Sequence, residues 1–246
     1  MRLIISPAKN MRITGDPRLP LSRPGYLQQS ARLLEQLREY PPWQLESLMK
    51  INPDIALRAF GYYQSLDLES GGSPAIMSYH GLQYQNIDPQ SLTPGELQFL
   101  QPRLRIVSAF YGLLRPLDGI SPYRLELQCK IKVDGQSLYR FWGDRLYRDL
   151  FSPGEPVLNL ASAEYSKAVS PFLGARDRFI TCDFLVVKRG RLCCLPTAAK
   201  MARGQMVRFI ARHSIDEPEG VWDFDWDGYE FSPARSDGGR YVFIRD

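Results

Sequence analysis

"VSAFYGLLRPLDGISPYRLEL", residues 107–127, decides how the chain is read. An apolar, β-rich run from Ile106 to Tyr111 stops at Gly112, and Arg115-Pro116, Asp118-Gly119, Pro122-Tyr123-Arg124 and Glu126 follow it. Proline and glycine narrow or direct the backbone choices of such a loop. This loop holds two guanidiniums and two carboxylates just past a strand. In α/β sheets, binding sites gather where the strands stop.

The surrounding pattern supports that reading. Residues 2–8 predict a buried strand, and further strands are predicted over 74–80, 105–111, 156–161 and 179–187. Lys188-Arg189-Gly190-Arg191 turns the chain into another strand, Leu192 to Leu195, and a last strand runs from Tyr241 to Ile244. Leu27, Ala31, Leu33, Leu34 and Leu37 have helix spacing within 27–40. Residues 44–62 predict two short helices about Asn52-Pro53-Asp54, with Asn52 as cap and Pro53 at the first helical position. A helix from Thr197 to about His213 follows the late hairpin. Strands and helices interleave, so the expected class is mixed α/β (α+β), one domain over 1–246 around a central mixed sheet.

Composition excludes several classes. Hydrophobic residues make up 44% and charged residues 24%, which fits a folded globular chain. No stretch approaches the length of apolar sequence that spans a bilayer, and Met1 to Pro7 is too short for a signal peptide. A cytoplasmic protein with no membrane partner is expected. Cys129, Cys182, Cys193 and Cys194 form no C-x-x-C pair, and His80 and His213 are the only histidines, so no metal and no cofactor is expected.

The net charge of +4 is unevenly spread. Residues 186–212 carry Lys188, Arg189, Arg191, Lys200, Arg203, Arg208 and Arg212 with no acid, whereas 216–246 are acid-rich. Either one basic face meets an anion, or the acidic tail folds back on the basic segment.

Candidate site residues cluster at predicted strand ends. "ISPAK", 5–9, supplies Ser6 and Lys9; the loop above supplies Arg115 and Arg124; "NLASAEYSKAV", 159–169, supplies Asn159, Ser162 and Lys167. Ser162 reads as a helix cap. On the 197–213 helix, Arg203 falls within the apolar face and Lys200 at its edge. A guanidinium there needs a carboxylate, such as Glu126 or Asp118, or a cleft that takes an anion. Together these residues predict a basic cleft for phosphate or a nucleic-acid backbone. The hairpin about Lys50, Asn52 and Asp54 reads either as a helix-hairpin-helix that offers turn amides to phosphates or as an ordinary helical hairpin. "LYRFWGD", 138–144, either stacks a base or packs in the core. No nucleophile–base pair, Walker loop or G-x-G-x-x-G is present.

"LIISPAK", "YGLLRPLDGISPYRLEL", "LYRFWGD", "VLNLASAEYSKAV" and "KMARGQMVRFI", in that order, resemble the YaaA family of bacterial peroxide-stress proteins, from Leu3 to Arg245. The resemblance implies a cytoplasmic α/β protein with a helix-hairpin-helix and a positively charged cleft. It implies protection from hydrogen peroxide by limiting free iron and Fenton damage to DNA, and contacts to double-stranded or branched DNA. By matching motif, the cleft residues are Lys9, Arg115, Arg124, Lys167, Lys200 and Arg203, and the hairpin is the 44–60 segment. The chain departs from the family where a Lys-Gly-Asp-x-Tyr pattern becomes His80-Gly81-Leu82-Gln83-Tyr84. Two functions fit these residues. One is a DNA-binding stress protein, and the other is an enzyme for a small phosphate-bearing or nucleobase substrate.

Overall fold

The computed structural model describes residues 1–13 and 19–246. At its centre are three short strands, Arg2–Ile5, Leu104–Ser108 and Val157–Leu160, buried along almost their whole length. Continuous apolar runs of this kind belong to parallel strands covered on both faces. Arg2–Ile5 pairs in parallel with both others, in a register that sets Ile5 level with Leu160 and Ile106. Their carboxyl ends therefore lie side by side.

The full sheet has eight strands. Phe179–Lys188 joins Val157–Leu160 in parallel, and Arg240–Arg245 joins Phe179–Lys188 in parallel. Three antiparallel strands complete it: Gly112–Leu114 on Leu104–Ser108, Glu230–Phe231 on Arg240–Arg245, and Arg191–Cys193 on the far end of Phe179–Lys188. The mixed α/β class is thus present. From the central strand the chain passes to Leu104–Ser108 on one side and then crosses to Val157–Leu160 on the other. That reversal is a topological switch point, the place at the carboxyl ends where open α/β sheets bind their ligands. No helix among the described residues is long and apolar enough to cross a membrane.

Several predicted boundaries move, each for a local reason. The first strand ends at Ile5 rather than residue 8, as Ser6-Pro7 follows and proline has no N–H to give the ladder. The 105–111 run stops at Ser108, whose hydroxyl accepts the amides of Phe110 and Tyr111 at 3.1 and 2.8 Å. Gly112, at φ +74°, then reverses the chain. The strand expected over 74–80 breaks into Ser73–Pro74, a helical turn Ala75–Ser78, and Tyr79–His80. The Ser78 hydroxyl donates back to the Pro74 carbonyl at 2.8 Å, a local bond that competes with a sheet ladder. Residues 12–25, rich in proline, glycine and arginine and so read from the sequence as a loop, fall partly on residues 14–18, outside the described residues.

The 18-residue helix Pro196–His213 buries Ala199, Ala202, Gly204, Met206, Val207 and Ile210. It crosses the short helix Leu82–Ile87 so closely that a Cβ on Gly204 would overlap the Gln83 carbonyl oxygen. The acidic tail does not neutralise this helix. Arg208 pairs with Asp88, and Arg212 lies 4.0 Å from Glu96. Tail acids Asp216, Glu219 and Asp227 pair with Arg103, Arg178 and Arg245.

Gly204→Ala is expected to destabilise the fold by about 1–3 kcal/mol through overpacking. Gly61→Ala, on the helix Pro53–Ser65 with open space around its Cβ, is expected to stabilise it by about 0.5–1 kcal/mol. Urea midpoints of the two variants check both signs.

Candidate functional site

The candidate crevice, at the carboxyl ends of the central strands, is built from two loops and a helical turn. Ser6 directly follows the first strand, and its Oγ accepts the Ser162 amide at 2.8 Å and donates to Ser162 Oγ at 3.2 Å. Ser162 does not cap the following turn with its side chain, as its spacing had suggested. Its amide and hydroxyl instead tie two adjacent strand ends together. The Ser6 carbonyl accepts the Tyr84 hydroxyl at 2.9 Å. Asn159 is a buried spacer: Oδ1 accepts the Ala161 amide at 2.9 Å and Nδ2 donates to Thr181 at 3.2 Å.

Beside the serines lies a compact charge cluster. Glu126 binds Lys9 Nζ through one oxygen and the Arg124 guanidinium through the other, both at 2.8 Å. Arg124 also donates to the Lys9 carbonyl at 3.0 Å. The side chain of Arg124 is 12% exposed, and its Nε has no hydrogen-bond partner. The loop is held in place from below. Tyr123 shares 2.7 Å hydrogen bonds with Ser108 and Tyr79, its ring stacks on Phe110, and Tyr111 accepts the Ser121 amide at 3.1 Å.

Glu164 extends the cluster. Its carboxylate accepts the Gln128 amide at 3.3 Å, and its own carbonyl accepts the Tyr139 hydroxyl at 2.9 Å. Burial pushes the Glu164 carboxyl above the ordinary carboxylate range, and repulsion from Glu126 adds to this. Lys167 stands with its ammonium 5.4 Å from the centre of the Tyr139 ring. Lys167 and Tyr139 line an open pocket with Gln136, Arg140 and Phe172. Neighbouring Phe141 and Trp142 are core residues, and the Trp142 indole donates to the Ala109 carbonyl at 2.9 Å.

Other predicted residues lie apart. Arg115 follows the strand that runs back, so it sits at the opposite end of the sheet from Arg124. It binds buried Asp118 at 2.9 Å and donates to the Arg23 carbonyl at 2.9 Å, closing its own loop. Arg203 meets neither Glu126 nor Asp118. Its titratable neighbours are the thiols of Cys182 and Cys194 and the carboxylate of Asp183, its Nε is buried without a partner, and burial lowers its pKa. Asp183 is taken by Arg240 at 2.7 Å. Lys200 is exposed on the same helix. His80 pairs with Asn10 in a two-stranded ladder, next in sequence to Lys9, and Leu82 is partly exposed.

The helical hairpin is present as Pro42–Met49 and Pro53–Ser65. Lys50 takes a left-handed conformation at φ +53°, and its amide and that of Ile51 both reach the Glu46 carbonyl. Asn52 caps the second helix by accepting the Ile55 amide at 2.9 Å, and Asp54 occupies its first turn. These amides are used inside the hairpin, and the acid sits where the helix dipole would draw a phosphate. The hairpin still touches the crevice, because the Tyr63 hydroxyl donates to the Arg124 carbonyl. Among the described residues, no three His, Cys, Asp or Glu side chains group as a metal site.

The sequence offers Glu126 or Asp118 as a guanidinium's partner, and the structure gives Glu126 to Arg124 and Asp118 to Arg115; Glu164 was missed as a site residue. Its place opposite Glu126 depends on the register of the parallel strands, which no local pattern encodes.

A family model described as peroxide stress protein YaaA matches residues 1–235. A UPF0246 protein of Lactiplantibacillus plantarum is 42% identical over 245 residues, covering 99% of both chains. One from Agathobacter rectalis is 38% identical over 246 residues, covering all of this chain and 99% of its own.

Glu164→Gln is expected to stabilise the protein increasingly as pH rises. A carboxyl with a raised folded-state pKa contributes stability below its unfolded value and loses it as pH climbs through the folded value. The neutral amide does not titrate. Urea midpoints of wild type and variant should therefore converge at pH 4 and separate by pH 8; a constant gap would contradict this.

Proposed function

The chain belongs to the peroxide stress protein YaaA family, and we propose that it serves that stress response by binding a small phosphate-bearing ligand in the crevice at the strand ends. The supporting observation is the Lys9–Glu126–Arg124 cluster beside the Ser6–Ser162 link. One carboxylate holds two cations in fixed positions, and two hydroxyls stand next to them. A site for a specific small anion needs groups held to about half an ångström. A surface for a DNA backbone needs free cations, and here Lys9 and Arg124 are already engaged with a carboxylate. An enzyme acting on a nucleotide or nucleobase substrate fits this arrangement.

One observation favours a second reading, in which double-stranded or branched DNA is the partner. The Tyr63–Arg124 bond joins the helical hairpin to the crevice, and Lys130, whose amide reaches the Leu48 carbonyl at 2.9 Å, adds a cation beside the hairpin. Backbone contacts along this line would shield DNA and so limit iron-driven damage.

Binding of pyrophosphate, and of a labelled duplex and a four-way junction, over a range of salt separates the two. The crevice reading expects pyrophosphate to bind wild type and Lys50→Ala alike. Arg124→Ala should weaken it about tenfold or more, the value of a charge-assisted hydrogen bond. The DNA reading expects a log–log salt slope of about −0.9 per phosphate contacted, and loss in both variants. Absence of pyrophosphate binding together with that DNA result would reject the crevice reading.

A further inference from the structure

Two carboxylates share the crevice, and the fold treats them differently. Glu126 has a cation on each oxygen. Glu164 has no ion-pair partner among the described residues, and its carboxylate lies against the amides of Leu127 and Gln128. The groups facing Glu164 come from every element around it. The loop after Arg124 brings Glu126 and Cys129, and Lys9 comes from the loop after the first strand. Tyr139 comes from the helix Leu138–Trp142, and Tyr165 from its own turn. Lys167 is held over the Tyr139 ring.

Lys167 apart, whose ammonium is turned onto the Tyr139 ring, the formal charges of Lys9 and Arg124 are cancelled by those of Glu126 and Glu164. A dianion entering such a neutral cluster gains little until one carboxylate gives up its charge. Glu126 would have to release two cations to do so. Glu164 has none to release, and it is the half-buried acid for which the charged form is already disfavoured. Where two carboxylates in one site are pushed to different protonation states by their surroundings, the site has an acid and a partner that stays charged. The buried Arg124 Nε, with no acceptor, is a further donor that the protein alone leaves unused.

We infer that the crevice is a proton-coupled anion site: Glu126 keeps Lys9 and Arg124 in place, while Glu164 takes up a proton as a phosphate-like anion enters and holds it as the donor to that ligand. This rests on the crevice reading above and assigns the acid within it. On binding, a proton from solvent forms an O–H bond on the Glu164 carboxylate. On donation that O–H bond breaks, the proton joins a ligand heteroatom, and the charged carboxylate is left to be reprotonated from solvent. No oxidant or metal enters the balance.

Sulfate is a suitable probe, because its charge is constant over the range where carboxyl groups titrate. Calorimetric titrations of the full chain with sulfate, in buffers of different ionisation heat at one ionic strength, count the protons exchanged. Wild type should take up about one proton above the Glu164 titration, and its affinity should fall about tenfold per pH unit there. Glu164→Gln, an isostere that keeps the amide contacts, should bind sulfate with no uptake and no pH slope. Glu164→Asp should restore part of the uptake. Sulfate bound by wild type without proton uptake, or uptake that persists in Glu164→Gln, overturns this inference alone. Absence of sulfate binding at every pH overturns it together with the crevice reading.

Discussion

Everything at the carboxyl end of the sheet hangs on one carboxylate. Glu126 reaches Lys9 with one oxygen and Arg124 with the other, and Arg124 returns a hydrogen bond to the Lys9 carbonyl. This closed triangle joins the loop leaving the central strand to the loop beyond Leu104–Ser108. Its covered half, Arg124–Glu126, is costly to break from one side, about 3–5 kcal/mol, because the remaining charge is left without a partner. Its formation gives little net stability compared with apolar residues of the same size. The cost is explained if the fixed positions of the two cations matter more than the stability of the fold.

The rigid loop 112–126 is the means. Its prolines and glycines were the first feature of the sequence, and the structure gives each arginine a separate purpose. Arg115 closes the loop at the amino end of the sheet against buried Asp118. Arg124 faces the crevice at the other end. Between them, Tyr111, Tyr123 and Phe110 pack edge to face or stacked, and the Tyr123 hydroxyl links Ser108 to Tyr79. Aromatic pairs and satisfied hydroxyls hold a loop with little freedom to lose on binding.

Much of this was legible from the residues alone. The strand Val157–Leu160, the long strand from Phe179 and the helix to His213 follow from periodicity and punctuation. Grouping Ser6, Lys9, Arg124, Ser162 and Lys167 at strand ends was possible because parallel strands bring their carboxyl ends together. Arg115 was misplaced because one antiparallel strand, Gly112–Leu114, carries the chain back before it, a reversal set by a single glycine. The helix Pro94–Arg103 went unassigned although Thr93 and Glu96 form a capping box, a signal that was there to be read. Arg203 was rightly marked as a cation in an apolar face, but its surroundings, Cys182, Asp183 and Cys194, are fixed by strand register and not by local sequence.

The central claim is that the crevice, and not the hairpin turn, receives the anion. The most direct measurement is an anomalous difference map from a crystal of this protein soaked in selenate. The account predicts a selenium peak within hydrogen-bonding reach of Lys9 and Arg124, beside Ser6 and Ser162. A peak at the Lys50 turn with none in the crevice would contradict it.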